Sequence, residues 1–106
     1  MGAGLGDSSV IRSFHDQGTE DVFNGIGSKH ARRTCPNQIW KVAQRKLDQL
    51  NAAVTLTDLR VPPANRLEAL VGDREGQHSI RINDAYRVCF RWTDEGAEDV
   101  EIVNYH

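Results

Sequence analysis

The 106-residue sequence is poor in cysteine and has no long apolar run. Its two cysteines, Cys35 and Cys89, lack the spacing of a metal site, and His15, His30 and His78 share no ligand spacing either. No segment has the length and apolar character of a secretory signal or a membrane span. We therefore expect free thiols, no metal, no cofactor, no membrane association and a location in the reducing cytoplasm.

An excess of positive charge is also missing, because the formal net charge is −2. Bulk attraction to nucleic acid is therefore not expected, and any site for an anion must be local. Lysine is absent after Lys46, and the later positive charge comes from Arg60, Arg66, Arg74, Arg81, Arg87 and Arg91. The planar guanidinium group suits phosphate recognition, with charge balance against neighbouring carboxylates as the alternative for each arginine.

The chain divides into a short leader and one domain. Residues 1–9 are rich in glycine and serine with a single leucine, so we expect them to be disordered. Residues 10–106 have the size of a single domain with one hydrophobic core. Within it, the apolar pattern predicts a strand at residues 10–14 and two helices, at residues 19–26 and 36–53.

Beyond Pro62 and Pro63 the apolar spacing changes from the helical period to alternation. It predicts four strands, at residues 66–70, 77–83, 86–92 and 99–105. In the third of these, apolar residues alternate with Arg87, Cys89 and Arg91, which indicates one apolar and one basic face. The predicted fold is α+β, with an N-terminal strand and two helices packed on one face of a largely antiparallel sheet of about four strands.

Three short motifs in this order of elements carry a family resemblance. They are the turn at residues 72–76, Gly-Asp-Arg-Glu-Gly, the pair Tyr86-Arg87 and the ending Asn104-Tyr105-His106. Residues 10–106 resemble the HigB branch of the RelE/ParE toxins, which includes plasmid maintenance system killer proteins. The resemblance implies the RelE-like fold and the toxin of a type II toxin-antitoxin system.

The activity that the resemblance implies is that of a metal-independent endoribonuclease, an mRNA interferase. Such a toxin enters the ribosomal A site, cuts messenger RNA and inhibits translation. The implied partners are the ribosome, messenger RNA and a helix-turn-helix antitoxin, HigA-like, that neutralises the toxin. Operator DNA is reached only through the antitoxin.

The resemblance also implies which residues act on the substrate. Arg87 matches the arginine that stabilises charge on the phosphate. His106 matches the terminal histidine, which has a reference pKa of about 6.5 and can serve as base or acid. Its α-carboxylate favours imidazolium and hence the acid role. Asn104 and Tyr105 complete the catalytic set. Apart from the resemblance, the arginines of the sheet half are the expected source of phosphate-binding cations, and we expect Arg66, Arg74, Arg81 and Arg91 to bind the substrate.

Alternation along the last strand makes the terminal residues compete for one face. In a regular strand Tyr105 points away from Asn104 and His106, so only one set faces the cleft unless the strand twists or bulges. Tyrosine, with a reference pKa of about 10, is also a poor base without help. On the helical side, the basic connector at residues 28–34 and the cations after it are candidates for contact with ribosomal RNA phosphates.

Three positions depart from the family pattern. Asn104 stands where aspartate is common, Val71 where lysine is common, and Glu68 where histidine is often found. Two alternatives to the nuclease therefore stay open. One is a catalytically weakened toxin that acts mainly in an antitoxin-DNA complex. The other is a ParE-like toxin that inhibits gyrase without cutting RNA.

Overall fold

The computed structural model describes residues 11–105, so the predicted leader, residue 10 and His106 lie outside the described part. Three helices precede the sheet: α1 (Gln17–Phe23), α2 (Lys29–Thr34) and α3 (Trp40–Ala52). The strands are β1 (Glu68–Ala69), β2 (His78–Arg81), β3 (Tyr86–Thr93) and β4 (Gly96–Asn104). They form one antiparallel sheet in the order β1-β2-β3-β4, which confirms the α+β prediction.

The helical half holds one helix more than predicted. The basic connector at residues 28–34 was expected to lack regular structure, but it folds as α2. The Ser28 hydroxyl caps this helix by accepting a hydrogen bond from the Ala31 amide at 3.0 Å, and Ala31 is fully buried. One cap and one buried side chain are enough to order a single turn against α1, although the segment is strongly basic.

The bounds of the two predicted helices also move. Asp16 caps α1 through a 2.7 Å hydrogen bond from the Thr19 amide, so the helix begins at Gln17. It ends at Phe23, before Gly25 with its φ of +74°. Pro36 does not begin α3, because a 3-10 turn over Asn37–Ile39 intervenes.

The predicted first strand is wrong as a regular element in its described part. Ile11 and Phe14 make only isolated parallel bridges, to Ala97 and Val100 of β4. The ladder is interrupted because Asp99 has a φ of +54°, and its amide donates to the hydroxyl of Ser13 at 2.9 Å instead. Nevertheless the segment runs beside β4, to which it is joined by backbone hydrogen bonds.

The predicted strand at residues 66–70 shrinks to Glu68–Ala69. Arg66 has left-handed backbone geometry with φ of 47°, which is incompatible with a strand. The 3-10 turn Gly72–Arg74 then leads into β2.

The core lies between the helices and one face of the sheet. Side chains from α3 and from alternate positions of the strands are completely buried there, namely Leu47, Leu50, Ile80, Val88, Phe90 and Val100. We call the opposite face of the sheet the open face. Arg87, Cys89, Arg91 and Glu101 belong to it because they alternate with the core residues along β3 and β4. Both cysteines are free and buried.

Candidate functional site

Arg87 is the most firmly held cation on the open face. Its Nε donates to the Ser79 hydroxyl at 2.7 Å, and its Nη2 donates to the backbone oxygen of Arg66 at 2.7 Å. The Glu68 carboxylate lies 3.7 Å from the same Nη2, and only 13% of the Arg87 side chain is exposed. A guanidinium group oriented by two neutral acceptors keeps its charge available, so Arg87 is pre-organised to meet an anion.

Tyr105 shares the open face with Arg87. Its hydroxyl lies 3.6 Å from the sulfur of Cys89, a completely buried residue of β3. Burial and the thiol raise the pKa of Tyr105 to about 12, although Arg74 and Arg87 oppose this rise. The phenol therefore remains protonated near neutral pH and can donate a hydrogen bond, but it cannot serve as the base.

The predicted competition among the terminal residues is resolved for two of the three. Tyr105 turns to the open face, whereas the side-chain amide of Asn104 donates to the Tyr86 hydroxyl at 3.4 Å. Tyr86 packs against the core and is the strand partner of Asn104, so these two residues share a face of the sheet. His106, the predicted acid, lies outside the described residues.

A groove of about 460 Å³ opens beside Tyr105, and we call it the Tyr105 groove. It is lined by Leu70, Val71, Asp73, Arg74, Val103, Asn104 and Tyr105. Val71, which stands where the family commonly has lysine, is 83% exposed in this groove. The departure at this position therefore removes a cation from the wall of the groove.

Most of the predicted substrate-binding arginines have a carboxylate partner. Their shortest contacts are Arg74 to Glu101 at 3.2 Å, Arg91 to Asp99 at 3.6 Å, and a close pair between Arg81 and Asp84. Arg66 takes part through its backbone oxygen, which holds Arg87. The open face is thus charge-balanced rather than basic. Because exposed ion pairs contribute only about 0–1 kcal/mol, a ligand can separate the exposed pair of Arg91 and Asp99 at low cost.

A second cavity of about 480 Å³ adjoins the first on the same face, and we call it the His15 cleft. Its walls are His15, Asp73, Arg74, Gln77, Arg91, Asp99 and Glu101. His15 Nε2 lies 3.9 Å from a carboxylate oxygen of Glu101. Sequence reasoning missed His15, because residue 15 is placed beside β4 by tertiary backbone hydrogen bonds such as the one from its amide to the Val100 oxygen.

Sequence reasoning also missed Ser79, Glu68 and Cys89 as members of the site. Glu68 and Ser79 are paired across β1 and β2, and Ser79 is paired with Cys89 across β2 and β3. Residues paired in this way share a face, so Glu68, Ser79 and Cys89 form one row on the open face. Within this row, Ser79 contacts Arg87 and Cys89 contacts Tyr105. Strand alternation alone was a usable signal for Ser79 and Cys89, but the pairing register was needed to join them.

A cluster of cations without carboxylate partners lies on α2 and α3. The stretch at residues 24–47 contains no Asp or Glu, and its exposed cations are Lys29, Arg32, Arg33, Lys41 and Arg45. Within residues 11–105, none of these five takes part in an ion pair. This surface, which we call the basic helical surface, therefore attracts a polyanion locally although the net charge of the chain is negative.

Two further observations concern classes of site. Among residues 11–105, no three His, Cys, Asp or Glu side chains come together in a way that could hold a metal ion. In the same part of the chain, no helix combines the length and the apolar character required to cross a membrane.

Comparison with known proteins supports one family. Residues 12–106 match the model for the RelE-like toxin of type II toxin-antitoxin system HigB. Over 62 residues the chain is 47% identical to Toxin HigB-1 of Vibrio cholerae serotype O1, covering 58% of this chain and 65% of that protein, just under two thirds of its length. An uncharacterized protein of Haemophilus influenzae is 39% identical over 70 residues, which is 66% of this chain and 67% of that protein.

A solved structure supports the fold. The YoeB-YefM complex from Staphylococcus aureus contains a chain that matches with a TM-score of 0.53 and 15% identity. The match covers 91% of this chain and 97% of that chain. At this level of identity the likeness shows the arrangement of helices and sheet alone.

Proposed function

The chain belongs to the RelE-like HigB toxins of type II toxin-antitoxin systems, and we propose that it is an endoribonuclease that cuts messenger RNA on the ribosome and inhibits translation. The observation that carries this proposal is the pre-organised guanidinium of Arg87, with the Tyr105 hydroxyl and the Glu68 carboxylate near it. These are the kinds of group that cleavage of a phosphodiester requires.

In the proposed reaction the ribose 2′-oxygen attacks the adjacent phosphorus atom, and the bond from phosphorus to the 5′-oxygen breaks. Negative charge accumulates on the non-bridging phosphate oxygens, and Arg87 is positioned to stabilise it. Because Ser79 and the Arg66 carbonyl already orient the guanidinium, little reorganisation is needed when the charge develops.

Glu68 is the proposed base that removes the proton of the 2′-hydroxyl. Its side chain is 56% exposed and lies next to Arg87, so it can reach a substrate held by that arginine. Tyr105 is unsuited to this step because of its raised pKa, and the amide of Asn104 has no basic oxygen. Tyr105 instead donates a hydrogen bond to the phosphate, and His106 remains the proposed acid for the 5′-oxygen.

The basic helical surface is proposed to bind phosphates of ribosomal RNA. Its cations lie on the helices, whereas Arg87 and Tyr105 lie on the open face, so docking and cleavage use different surfaces. The proposed protein partner is a HigA-like helix-turn-helix antitoxin, which also links the toxin to operator DNA, and the proposed location is the cytoplasm. The YoeB-YefM structure, a complex of two proteins, supports an interaction of this kind.

The test is cleavage of messenger RNA by the purified protein on translating ribosomes. Arg87→Ala is expected to reduce the rate by about 100- to 1,000-fold, because it removes a pre-organised charge. Glu68→Gln keeps the shape of the side chain and is expected to reduce the rate by about 100-fold or more. Arg60→Ala, at an exposed arginine in a 3-10 turn, is the matched control. Full activity of both site variants would contradict the proposal.

The same assay separates the two alternatives. Inhibition of gyrase with intact messenger RNA identifies the ParE-like alternative. For a weakened toxin, Val71→Lys and Asn104→Asp together are expected to convert a protein that does not cut RNA into one that does. Cleavage by the unmodified protein excludes loss of catalysis.

A further inference from the structure

The His15 cleft lies next to the proposed catalytic residues but is distinct from the Tyr105 groove. The two cavities share Asp73 and Arg74 on the loop that precedes β2. An RNA strand whose cleaved phosphate meets Arg87 would therefore place a neighbouring nucleotide near Arg74. At about 480 Å³, the cleft is large enough for one planar ring system.

The charges of the cleft do not favour phosphate. Three carboxylates stand against two guanidinium groups, and both arginines are already engaged. Arg74 donates to Gln77 at 3.0 Å and to Glu101 at 3.2 Å, and Arg91 pairs with Asp99. A phosphate would meet an excess of negative charge there.

The same groups suit an uncharged ligand with several polar atoms. Arg74, Arg91 and Gln77 present N–H donors, while Asp99 and Glu101 present acceptors. A nucleobase edge carries both donors and acceptors and is recognised by arginine, glutamine and carboxylate side chains. The exposed imidazole of His15 adds a flat surface on which a base can stack.

The groups of the cleft come from a rigid frame. Arg91 and Glu101 belong to β3 and β4, and Asp99 lies at the irregular position where the Ser13 hydroxyl holds its amide. His15 is fixed to β4 through the bond between its amide and the Val100 oxygen, 2.9 Å long. A frame of this kind can distinguish one base from another, because its donors and acceptors have set positions.

We propose that the His15 cleft binds a nucleobase of the messenger RNA beside the cleaved phosphate and determines the base preference at that position. This inference rests on the proposed nuclease function. Arg74 and Arg91 then act as readers of base edges rather than as phosphate ligands. Asp99 and Glu101 accept hydrogen bonds from the base, and His15 covers its face.

The first test maps the cut sites of messenger RNA on translating ribosomes for the wild type and for Asp99→Asn. The preference for the favoured base at one position next to the cut is expected to fall by about 5- to 150-fold, the range for one good contact to a base edge. Cleavage is expected to fall mainly at sites that carry the favoured base, because Asp99 contacts that base whereas Arg87, which meets the phosphate, is untouched. Asp48→Asn, an equal change of charge on the exposed side of α3, is the control and should leave the preference unchanged.

The second test does not depend on cleavage. The ring signals of His15, assigned with His15→Gln, are followed by NMR while adenosine, guanosine, cytidine, uridine or inorganic phosphate is added to the whole protein. At least one nucleoside is expected to shift these signals saturably, with weaker binding in Asp99→Asn, and phosphate is expected to have no such effect.

Saturable shifts with phosphate alone would overturn the inference, as would identical base preferences in wild type and Asp99→Asn. If the wild type binds a nucleoside at His15 but cuts no RNA, the proposed nuclease function fails while the cleft retains its ligand. If it cuts RNA with an unchanged preference in Asp99→Asn, the cleft is not the reader although the nuclease function holds.

Discussion

Docking on the ribosome should depend on salt in a way that can be worked out from the basic helical surface. The perturbation is the double substitution Arg33→Gln and Arg45→Gln, which removes one exposed cation from α2 and one from α3. Neither residue takes part in an ion pair within residues 11–105, so the fold should tolerate both changes. The measured quantity is the slope of the logarithm of the affinity against the logarithm of the salt concentration.

Each phosphate contact contributes about −0.7 to −0.9 to this slope. The surface has five exposed cations, Lys29, Arg32, Arg33, Lys41 and Arg45. If all of them bind phosphates, the slope is about −3.5 to −4.5, and raising salt from about 50 to 200 mM weakens binding roughly 100- to 500-fold. With two contacts removed, the slope becomes about −2.1 to −2.7 and the same rise in salt weakens binding only about 20- to 40-fold.

The assay is co-sedimentation of the toxin with ribosomes over a series of potassium chloride concentrations. The control is Arg81→Gln. It also removes one cation, but that cation lies on the sheet and is already paired with Asp84. Its slope should differ little from that of the wild type. Equal slopes for the wild type and the double variant would refute the assignment of docking to the helical layer.

Three further predictions concern single side chains. Cys89→Val removes the sulfur that contacts the Tyr105 hydroxyl, so the pKa of that phenol should fall below its present value of about 12, as followed by ultraviolet absorbance of tyrosinate; an unchanged titration would contradict the contact. Asn65→Ala leaves the buried ammonium of Lys46 and several carbonyl groups without their partner. The free energy of unfolding, measured with a chemical denaturant, should fall by about 2–5 kcal/mol, and a fall below about 1 kcal/mol would argue against the buried network. Hydrogen bonds from two backbone amides lower the pKa of Asp58, so the carboxylate stabilises the fold above its unfolded pKa of about 3.9 and loses this effect as pH falls through the lower folded pKa. The difference in unfolding free energy between wild type and Asp58→Asn should therefore be full at neutral pH and smaller in acid. A difference that does not change with pH would disprove this origin.

Several elements could be predicted because their signals are local. The alternation from Tyr86 to Trp92 is visible in consecutive residues, and it correctly predicts a strand with Val88 and Phe90 in the core. The connector before α3 could not be predicted in the same way. Its helix depends on the burial of Ala31 against α1, and six residues are too few for a periodic pattern to emerge.

The candidate site was predicted in part. Arg87 and Tyr105 were identified from motifs, and the structure brings both to the open face. Asn104, assigned to the same set, donates its side-chain amide to the Tyr86 hydroxyl and also lines the Tyr105 groove. Glu68 was noted as a departure from the family, and its place next to Arg87 emerges only when β1 is paired with β2.

The sequence by itself determined the class of fold, the family and which residues of each strand share a face, because these properties depend on neighbours within a few positions. Tertiary structure alone decided which charges meet. The ion pairs of Arg74 with Glu101 and of Arg91 with Asp99, and the approach of His15 to Glu101, join residues on different elements. Their meeting depends on strand register and on the irregular backbone at Asp99, which are set by the packing of the whole sheet. The basic face expected from the arginines is for that reason largely a balanced one, and five exposed cations without an ion pair within residues 11–105 lie on α2 and α3.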